Sequence, residues 1–479
     1  MNDQLELSLA VSQTKYLPAG GTQMYAILTV SGQGKGLGSG HAEAAEIILV
    51  DCSASMDWPP TKIGAARRAT TAAIDTLRDG THFAIVAGTG EAQMVYPPEP
   101  RTAQVTPQTR AEAREAVAKL FASGGTAMGT WLSLARTLLD QHPTAVRHVL
   151  LLTDGKNESE APEQLERVLA QCEGQFVCDA RGVGDDWEPR ELQRIVSVLR
   201  GVADAVRTDS DLVDDFRKLT AAAQDRILPD LRLRITTLPF SRLRFVRQVH
   251  PTRSDLTEHC VKVAEGTMEV STGSWGRDRR EYELCLELQP DGRPMGEDVL
   301  LATVRLAEVA ATPPVQVLGH WTSERVMSTR INSKRAYRAR EDELGRAETA
   351  GCDAYNAGKL ETATEEWGRA VKLAHELGGE ESLERLGRVV NIIDRATGKV
   401  RLRDDVQKRD LLSLVMDSVI SRQADDDTDA AVVDPRPAGP DLRCECGWVS
   451  PAGVTWCVKC GSSLGDREPL ANRPEGSQQ

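Results

Sequence analysis

The chain has 479 residues, a formal net charge of −13 and only 4% aromatic residues. At roughly 100–200 residues per domain that is material for about three folded units, and the acidic balance argues against a nucleic-acid partner, since it repels phosphate backbones. The opening MNDQLELSLAVSQTKYLPAGG lacks the cationic and apolar stretches of a secretory leader, and no segment supplies the roughly 18 apolar residues that span a bilayer, so a cytoplasmic protein without membrane contact is expected.

In chain order, residues 5–11 and 23–30 read as strands joined by a Pro-Ala-Gly-Gly turn. The stretch GQGKGLGSG at 32–40 fits neither phosphate-binding glycine motif and reads as a connector. From 45 to 225 apolar strand patterns alternate with amphipathic helices: strands near 46–50, 83–87, 148–152 and 175–180, a short edge strand at 92–96, and helices at 61–78, 107–121, 130–141, 162–172, 189–199 and 209–223. That alternation predicts a parallel sheet covered on both faces. After residue 228 the period changes to two, with strands expected at 231–237, 242–249, 260–263, 267–271, 281–288 and 299–306, the pattern of a β-sandwich. Neither flanking strand group makes a stable two-layer sheet alone, so residues 1–40 and 228–325 are expected to close one sandwich around the inserted 44–225 domain. Residues 333–421 turn helical, with helices foreseen at 383–395 and 411–421. An acidic, Pro-rich linker covers 424–441, a cysteine module 442–465, and a disordered tail 466–479.

Three short pieces carry chemistry. The apolar strand IILVDCSASM delivers Asp51, Ser53 and Ser55; SGGTAMGT delivers Thr126; the strand HVLLLTDG delivers Asp154. Oxygen-bearing residues just past the carboxyl ends of parallel strands lie where open α/β sheets bind ligands. Two carboxylates and three hydroxyls form a hard oxygen set suited to Mg²⁺, with Mn²⁺ or Ca²⁺ as other divalent choices. Read as mere turn and cap residues, the set would leave Asp51 and Asp154 together without a counter-charge. On these residues the segment 44–225 resembles the von Willebrand factor A (VWA) family, including its bacterial intracellular members. The resemblance implies a Rossmann-like fold and a metal-ion-dependent adhesion site with an open position, completed by an acidic side chain of a partner protein. It also implies that Ser53, Ser55 and Thr126 ligate directly while Asp51 and Asp154 often act through water. Cys52 between the ligands and Trp58-Pro59-Pro60 at the expected helix start depart from the family pattern without removing a ligand.

Residues 345–370 resemble a tetratricopeptide repeat, with Gly351, Tyr355, Gly358, Leu360, Ala363, Trp367 and Ala370 on its packing positions. One repeat is too few for a solenoid, so a single helical hairpin packed on later helices is expected. At the C-terminus, Cys444, Cys446, Cys457 and Cys460 resemble a short zinc ribbon, four thiolates for one tetrahedral Zn²⁺. The other six cysteines show no disulfide framework.

The expected function is that of a non-enzymatic, cation-dependent protein-binding scaffold whose metal grips an acidic group of a partner. By analogy alone, the partner belongs to a kinase–phosphatase circuit or is an AAA+ ATPase. The competing reading, a metal-dependent hydrolase, lacks a second carboxylate two residues after Asp51, a nucleophile elbow and a Ser/His/Asp set.

Overall fold

In the computed structural model, residues 5–33, 43–59, 61–206, 209–307, 309, 311–328 and 332–421 are described, together with two dipeptide strands near the C-terminus. The chain starts with strands β1 (Glu6–Gln13), β2 (Tyr16–Pro18) and β3 (Gln23–Gln33). The next segment comprises β4 (Ala44–Asp51), α1 (Thr61–Thr76), β5 (His82–Gly88), β6 (Ala92–Tyr96), β7 (Ala103–Gln104), α2 (Pro107–Ala118), α3 (Met128–Leu139), β8 (Val146–Thr153), α4 (Pro162–Cys172), β9 (Val177–Val183), α5 (Pro189–Val198), β10 (Ala203–Val206) and α6 (Asp209–Gln224).

The run Ile47–Ile48–Leu49–Val50 explains why β4 lies at the centre of this segment. Ile47 and Leu49 pack on one face with Val149, Leu151 and Trp131, and Ile48 and Val50 pack on the other with Phe83, Ile85 and Leu152. A strand apolar on both faces is stable only with helices on both sides. The sheet order is β10-β9-β8-β4-β5-β6, with β7 also paired to β5. All pairings are parallel except those of β6 and β7 with β5. The chain leaves β4 for β5 on one side and later returns to β8 on the other, so the crevice of an open α/β sheet falls at the carboxyl end of β4.

Beyond it come β11 (Arg232–Thr237), β12 (Ser241–His250), β13 (Ser254–Asp255), β14 (Val261–Ala264), β15 (Thr267–Ser271), β16 (Arg279–Leu288), β17 (Asp298–Leu306) and β18 (Val315–Thr322). They form two sheets, β1-β3-β16-β12-β13 and β14-β15-β11-β17-β18-β2. The three N-terminal strands are divided between them: β3 sits between β1 and β16, and β2 runs parallel to β18 at the edge of the other sheet. One apolar cluster, including Leu28, Val30, Leu233, Trp275, Leu284, Leu301 and Trp321, draws on both sheets. Strands β2, β13 and β18 were not foreseen; the first two are only three and two residues long, below the length at which alternation can be read. Gly32 and Gln33, expected in the connector, belong to β3, where Gly32 lies so close to Gly276 that a Cβ would sit 2.2 Å from its carbonyl oxygen.

The remaining helices are α7 (Arg325–Ser328), α8 (Ser333–Asn356), α9 (Leu360–Glu376), α10 (Glu380–Leu386) and, after a hairpin of β19 (Val390–Asp394) and β20 (Lys399–Leu402), α11 (Lys408–Asp417). The helix expected over 383–395 is thus corrected: only Glu380–Leu386 is helical. The β-branched Val389, Val390, Ile392 and Ile393 and the turn at Gly398, with φ of +72°, favour a hairpin. Helix α8 lies on the sandwich through Arg338, whose buried guanidinium pairs with Glu281 and Glu341. Helix α11 ties the parts together: Met416 joins the core of the parallel sheet, and Arg253 N donates to Val419 O just beyond the helix. Two dipeptide strands, β21 (Leu442–Arg443) and β22 (Val449–Ser450), pair antiparallel; Cys444, Cys446, Cys457 and Cys460 lie outside the described residues. No helix among the described residues is long and apolar enough to cross a membrane.

Candidate metal centre at the carboxyl edge of the parallel sheet

Asp51 ends β4 and Asp154 follows β8, so the two carboxylates emerge side by side from neighbouring parallel strands. Both residues are fully buried. The backbone then turns sharply: Ser53 N donates to Asp51 Oδ1 at 2.8 Å, and a 3₁₀ turn over Ala54–Asp57 brings Ser55 back over the strand end. The Ser53 and Ser55 hydroxyls are 2.9 Å apart, and Ser55 Oγ donates to Asp154 Oδ1 at 2.7 Å. Thr126 comes from the loop before α3, which is pinned to the Ser53 loop by Ala54 N donating to Gly124 O. A Cβ added to Gly155 would lie 3.1 Å from Thr126 Oγ1, 3.5 Å from Ser55 Oγ and 3.8 Å from Asp51 Oδ2. Those three oxygens therefore converge beside the small residue that follows Asp154. All five residues expected at the site are brought together.

Several contributors went unforeseen. Thr153 Oγ1 donates to Asp51 Oδ2 at 2.6 Å, fixing the carboxylate from the β8 side. Lys62, nearly buried in the first turn of α1, places Nζ 2.7 Å from Asp154 Oδ2. The expectation that the carboxylates lack a counter-charge is thereby corrected: an ammonium supplies one positive charge against two carboxylates. A lysine in a helix's first turn opposes the helix dipole, and that misfit was the available signal for a specific acidic partner. The loop after Asp154 also caps α3. Ser159 Oγ accepts from Thr126 N, Asn157 Oδ1 from Met128 N and Glu160 Oε1 from Gly129 N, at 3.0, 2.7 and 2.6 Å. Burial, above all, pushes the Asp51 carboxyl up to about 6, against the hydrogen bonds from Ser53 and Thr153. Burial likewise pushes the Cys52 thiol up to about 12, which disfavours its thiolate form.

The donor set fits a hard divalent cation. It offers oxygen alone, converges beside a glycine, and retains one uncompensated carboxylate charge after Lys62 is counted.

An open, mostly parallel α/β sheet with polar side chains gathered at its switch point has the Rossmann-like architecture. Within that class, residues 45–205 match the model described as von Willebrand factor type A domain, and residues 372–418 match the one described as von Willebrand factor type A C-terminal domain. The solved structure of a von Willebrand factor type A protein from Catenulispora acidiphila is 38% identical, over 88% of this chain and 98% of that one, with a TM-score of 0.81. This chain belongs to the von Willebrand factor type A family. The ArnB paralog VWA2 from Sulfolobus acidocaldarius is 13% identical, over 86% of this chain and 98% of that one, with a TM-score of 0.48. Proximal thread matrix protein 1 from the mussel byssus, solved with a zinc-occupied adhesion motif, is 24% identical over 38% of this chain and 46% of that one, with a TM-score of 0.32. A comparison with curated proteins gave no match. Domains of the VWA family are generally non-enzymatic protein-interaction modules and commonly bind a divalent cation.

Proposed function

We propose that this protein is a cation-dependent protein-binding scaffold, in which Asp51, Ser53, Ser55, Thr126 and Asp154 hold Mg²⁺ or a similar divalent ion and a partner's carboxylate completes its coordination. The observation that carries the reading is the convergence of two buried carboxylates and three hydroxyls beside Gly155. When bound, the cation supplies positive charge at the surface. The chain's own residues orient it: Thr153 and the Ser53 amide hold Asp51, and the Ser159 hydroxyl holds the backbone of Thr126. The loops that bear the donors also display two large aromatic residues, Trp58 at 80% and Phe121 at 68% exposure. Exposed aromatics beside a charged centre are the composition of an interaction hot spot.

The test is capture of partners from a lysate by wild type and by Asp51→Ala, each with Mg²⁺ and with EDTA. Capture by wild type in Mg²⁺ alone supports the reading; equal capture in all four conditions overturns it. The C-terminal Cys444, Cys446, Cys457 and Cys460 are proposed to hold one structural Zn²⁺, with docking as the ribbon's role. Elemental analysis after Cys457→Ser and Cys460→Ser checks this, and zinc content unchanged by the substitutions removes the assignment. The α8–α9 hairpin is proposed as a tetratricopeptide-like unit and as a further docking surface. The cytoplasm is the compartment in which reduced cysteines and a partner circuit of kinases, phosphatases or an AAA+ ATPase would be met.

A further inference from the structure

The opposite edge of the same parallel sheet carries a second group of ligand-type side chains. Glu43 immediately precedes β4, His82 opens β5, and His142 lies in the turn between α3 and β8. One carboxylate oxygen and one nitrogen from each imidazole lie within 4.8 Å of one another. His82 Nε2 and His142 Nδ1 both face the same oxygen, Glu43 Oε1, each at 3.5 Å. That is longer than the 2.7–3.2 Å of an N–H···O hydrogen bond. The two contacts are ion pairs when the imidazoles are protonated, and with neutral imidazoles three donor atoms bound a gap. Zn²⁺ bonded to nitrogen and oxygen at about 2.0–2.2 Å in tetrahedral geometry needs donors about 3.4 Å apart, so the two observed 3.5 Å separations already match.

A second layer holds these donors. His142 Nε2 is 2.7 Å from the buried Thr102 hydroxyl. With Nε2–H donating to that hydroxyl, Nδ1 keeps its lone pair toward Glu43. The other carboxylate oxygen, Glu43 Oε2, accepts from Thr144 Oγ1 at 3.2 Å. The two rings stack at 4.0 Å between centroids. Glu43 O also accepts from Val146 N at 2.7 Å, anchoring its backbone to β8. Hydrogen bonds to the non-ligating atoms of histidine and carboxylate are the usual second layer of a metal centre.

We propose that Glu43, His82 and His142 form a binding site for Zn²⁺ or a cation of similar preference, with a fourth position open to water or an external ligand. Two imidazoles and one carboxylate select borderline transition metals over Mg²⁺. The site is separate from the Asp51 cluster: Asp51 lies eight residue steps along an extended strand from Glu43, about 26 Å away. Its ligands come from the entry into β4, the start of β5 and the turn before β8, so a bound ion clips three chain segments at the point where the chain enters the sheet.

The experiment is calorimetric titration of the metal-stripped full chain with Zn²⁺ alone, in wild type, Glu43→Gln, His82→Asn, His142→Asn and Thr102→Val. A background with Cys444, Cys446, Cys457 and Cys460 all replaced by Ser removes the clustered thiolates, and excess Mg²⁺ competes for the Asp51 cluster. One Zn²⁺ equivalent is expected in that background, lost in each histidine variant and weakened about 10–100-fold by Thr102→Val, which touches only the second layer. Co²⁺ substitution is expected to give visible ligand-field bands without thiolate charge transfer, and these vanish in the same variants. Glu43 is exposed, so Glu43→Gln retains the fold and keeps the test decisive should a histidine variant fail to fold. Unchanged Zn²⁺ stoichiometry and affinity in Glu43→Gln, or no Zn²⁺ bound in the background without the four clustered cysteines, overturns the proposal.

Discussion

Lys62 Nζ stands 2.7 Å from Asp154 Oδ2, with both side chains nearly closed off from solvent. The ammonium thus occupies the same electrostatic niche that a cation would reinforce. Removing it leaves Asp51 and Asp154 buried with no positive charge between them, and breaking a buried ion pair from one side costs about 3–5 kcal/mol. Lys62→Met is therefore expected to unfold at markedly lower urea concentration than wild type in EDTA. Because Mg²⁺ can replace the lost charge, its addition should raise the stability of the variant more than that of wild type. Equal Mg²⁺-induced shifts in the two proteins would show that no cation enters beside Asp154.

How far the sequence could be read follows from which residues act locally. Asp51, Ser53, Ser55, Thr126 and Asp154 were legible because each follows an apolar strand or sits in a glycine-bounded loop at motif spacing, and the parallel strands then bring them together. Lys62 and Thr153 were not, since their roles depend on contacts across the sheet with carboxylates about a hundred residues away. The same holds for Glu43, His82 and His142, three isolated residues at unrelated spacings that meet only because β4, β5 and β8 are neighbours. The β19–β20 hairpin was misread as helix because Val389, Val390, Ile392 and Ile393 fit an apolar helical face as well as a strand; Gly398 was the discriminating signal.

Gly351 on α8 faces the ring of Trp367 on α9, and a Cβ there would lie 2.4 Å from its nearest ring atoms. Trp367 is fully buried among Ala363, Ala370 and Val371 and has no space into which to retreat. Gly351→Ala is expected to destabilise the protein by about 1–3 kcal/mol through overpacking, despite alanine's better helix propensity. Chemical denaturation followed by Trp fluorescence measures this. A variant as stable as wild type would mean that the two helices can separate at no cost.

His148 is enclosed in the parallel sheet between Glu46 and Asp179, at 2.7 and 3.0 Å. Burial disfavours its charge, but the two carboxylates outweigh burial and raise its pKa to about 9, while His148 in turn helps hold the Asp179 carboxyl well below its usual range. The folded-state pKa of His148 lies above its unfolded value of 6.5. Its contribution is therefore fully present below pH 6.5 and is lost as pH rises through about 9. The stake is on the order of 3 kcal/mol, at about 1.4 kcal/mol per pKa unit. Urea unfolding between pH 6 and 10 should show that decline in wild type. In Glu46→Gln one of the two carboxylates is gone, so the decline should begin at lower pH. Identical pH profiles would mean that Glu46 does not hold the imidazolium.

The sandwich is built from both ends of the chain around the inserted parallel sheet, and this makes the N-terminal strands indispensable to it. Leu28 and Val30 on β3 are completely buried, and β3 pairs with β16 along nine residues from Arg279 to Glu287. A fragment of residues 228–330 lacks β1, β2 and β3. It would expose the hydrogen-bonding edge of β16 together with Leu284 and Leu286, which are fully buried in the intact chain. An apolar strand with an unpaired edge is a template for association, and the loss of three strands removes much of one apolar layer. The fragment is expected to be insoluble or to unfold without cooperativity, whereas residues 43–227, whose parallel sheet is complete in itself, should fold alone. Supplying residues 1–40 as a separate chain should recover the sandwich fragment in part, because β3 can still pair with β16. The measurement is soluble yield followed by thermal unfolding of each fragment. A soluble 228–330 fragment with a sharp transition would show that β11 to β18 close a core unaided and that the first three strands are an accessory to it.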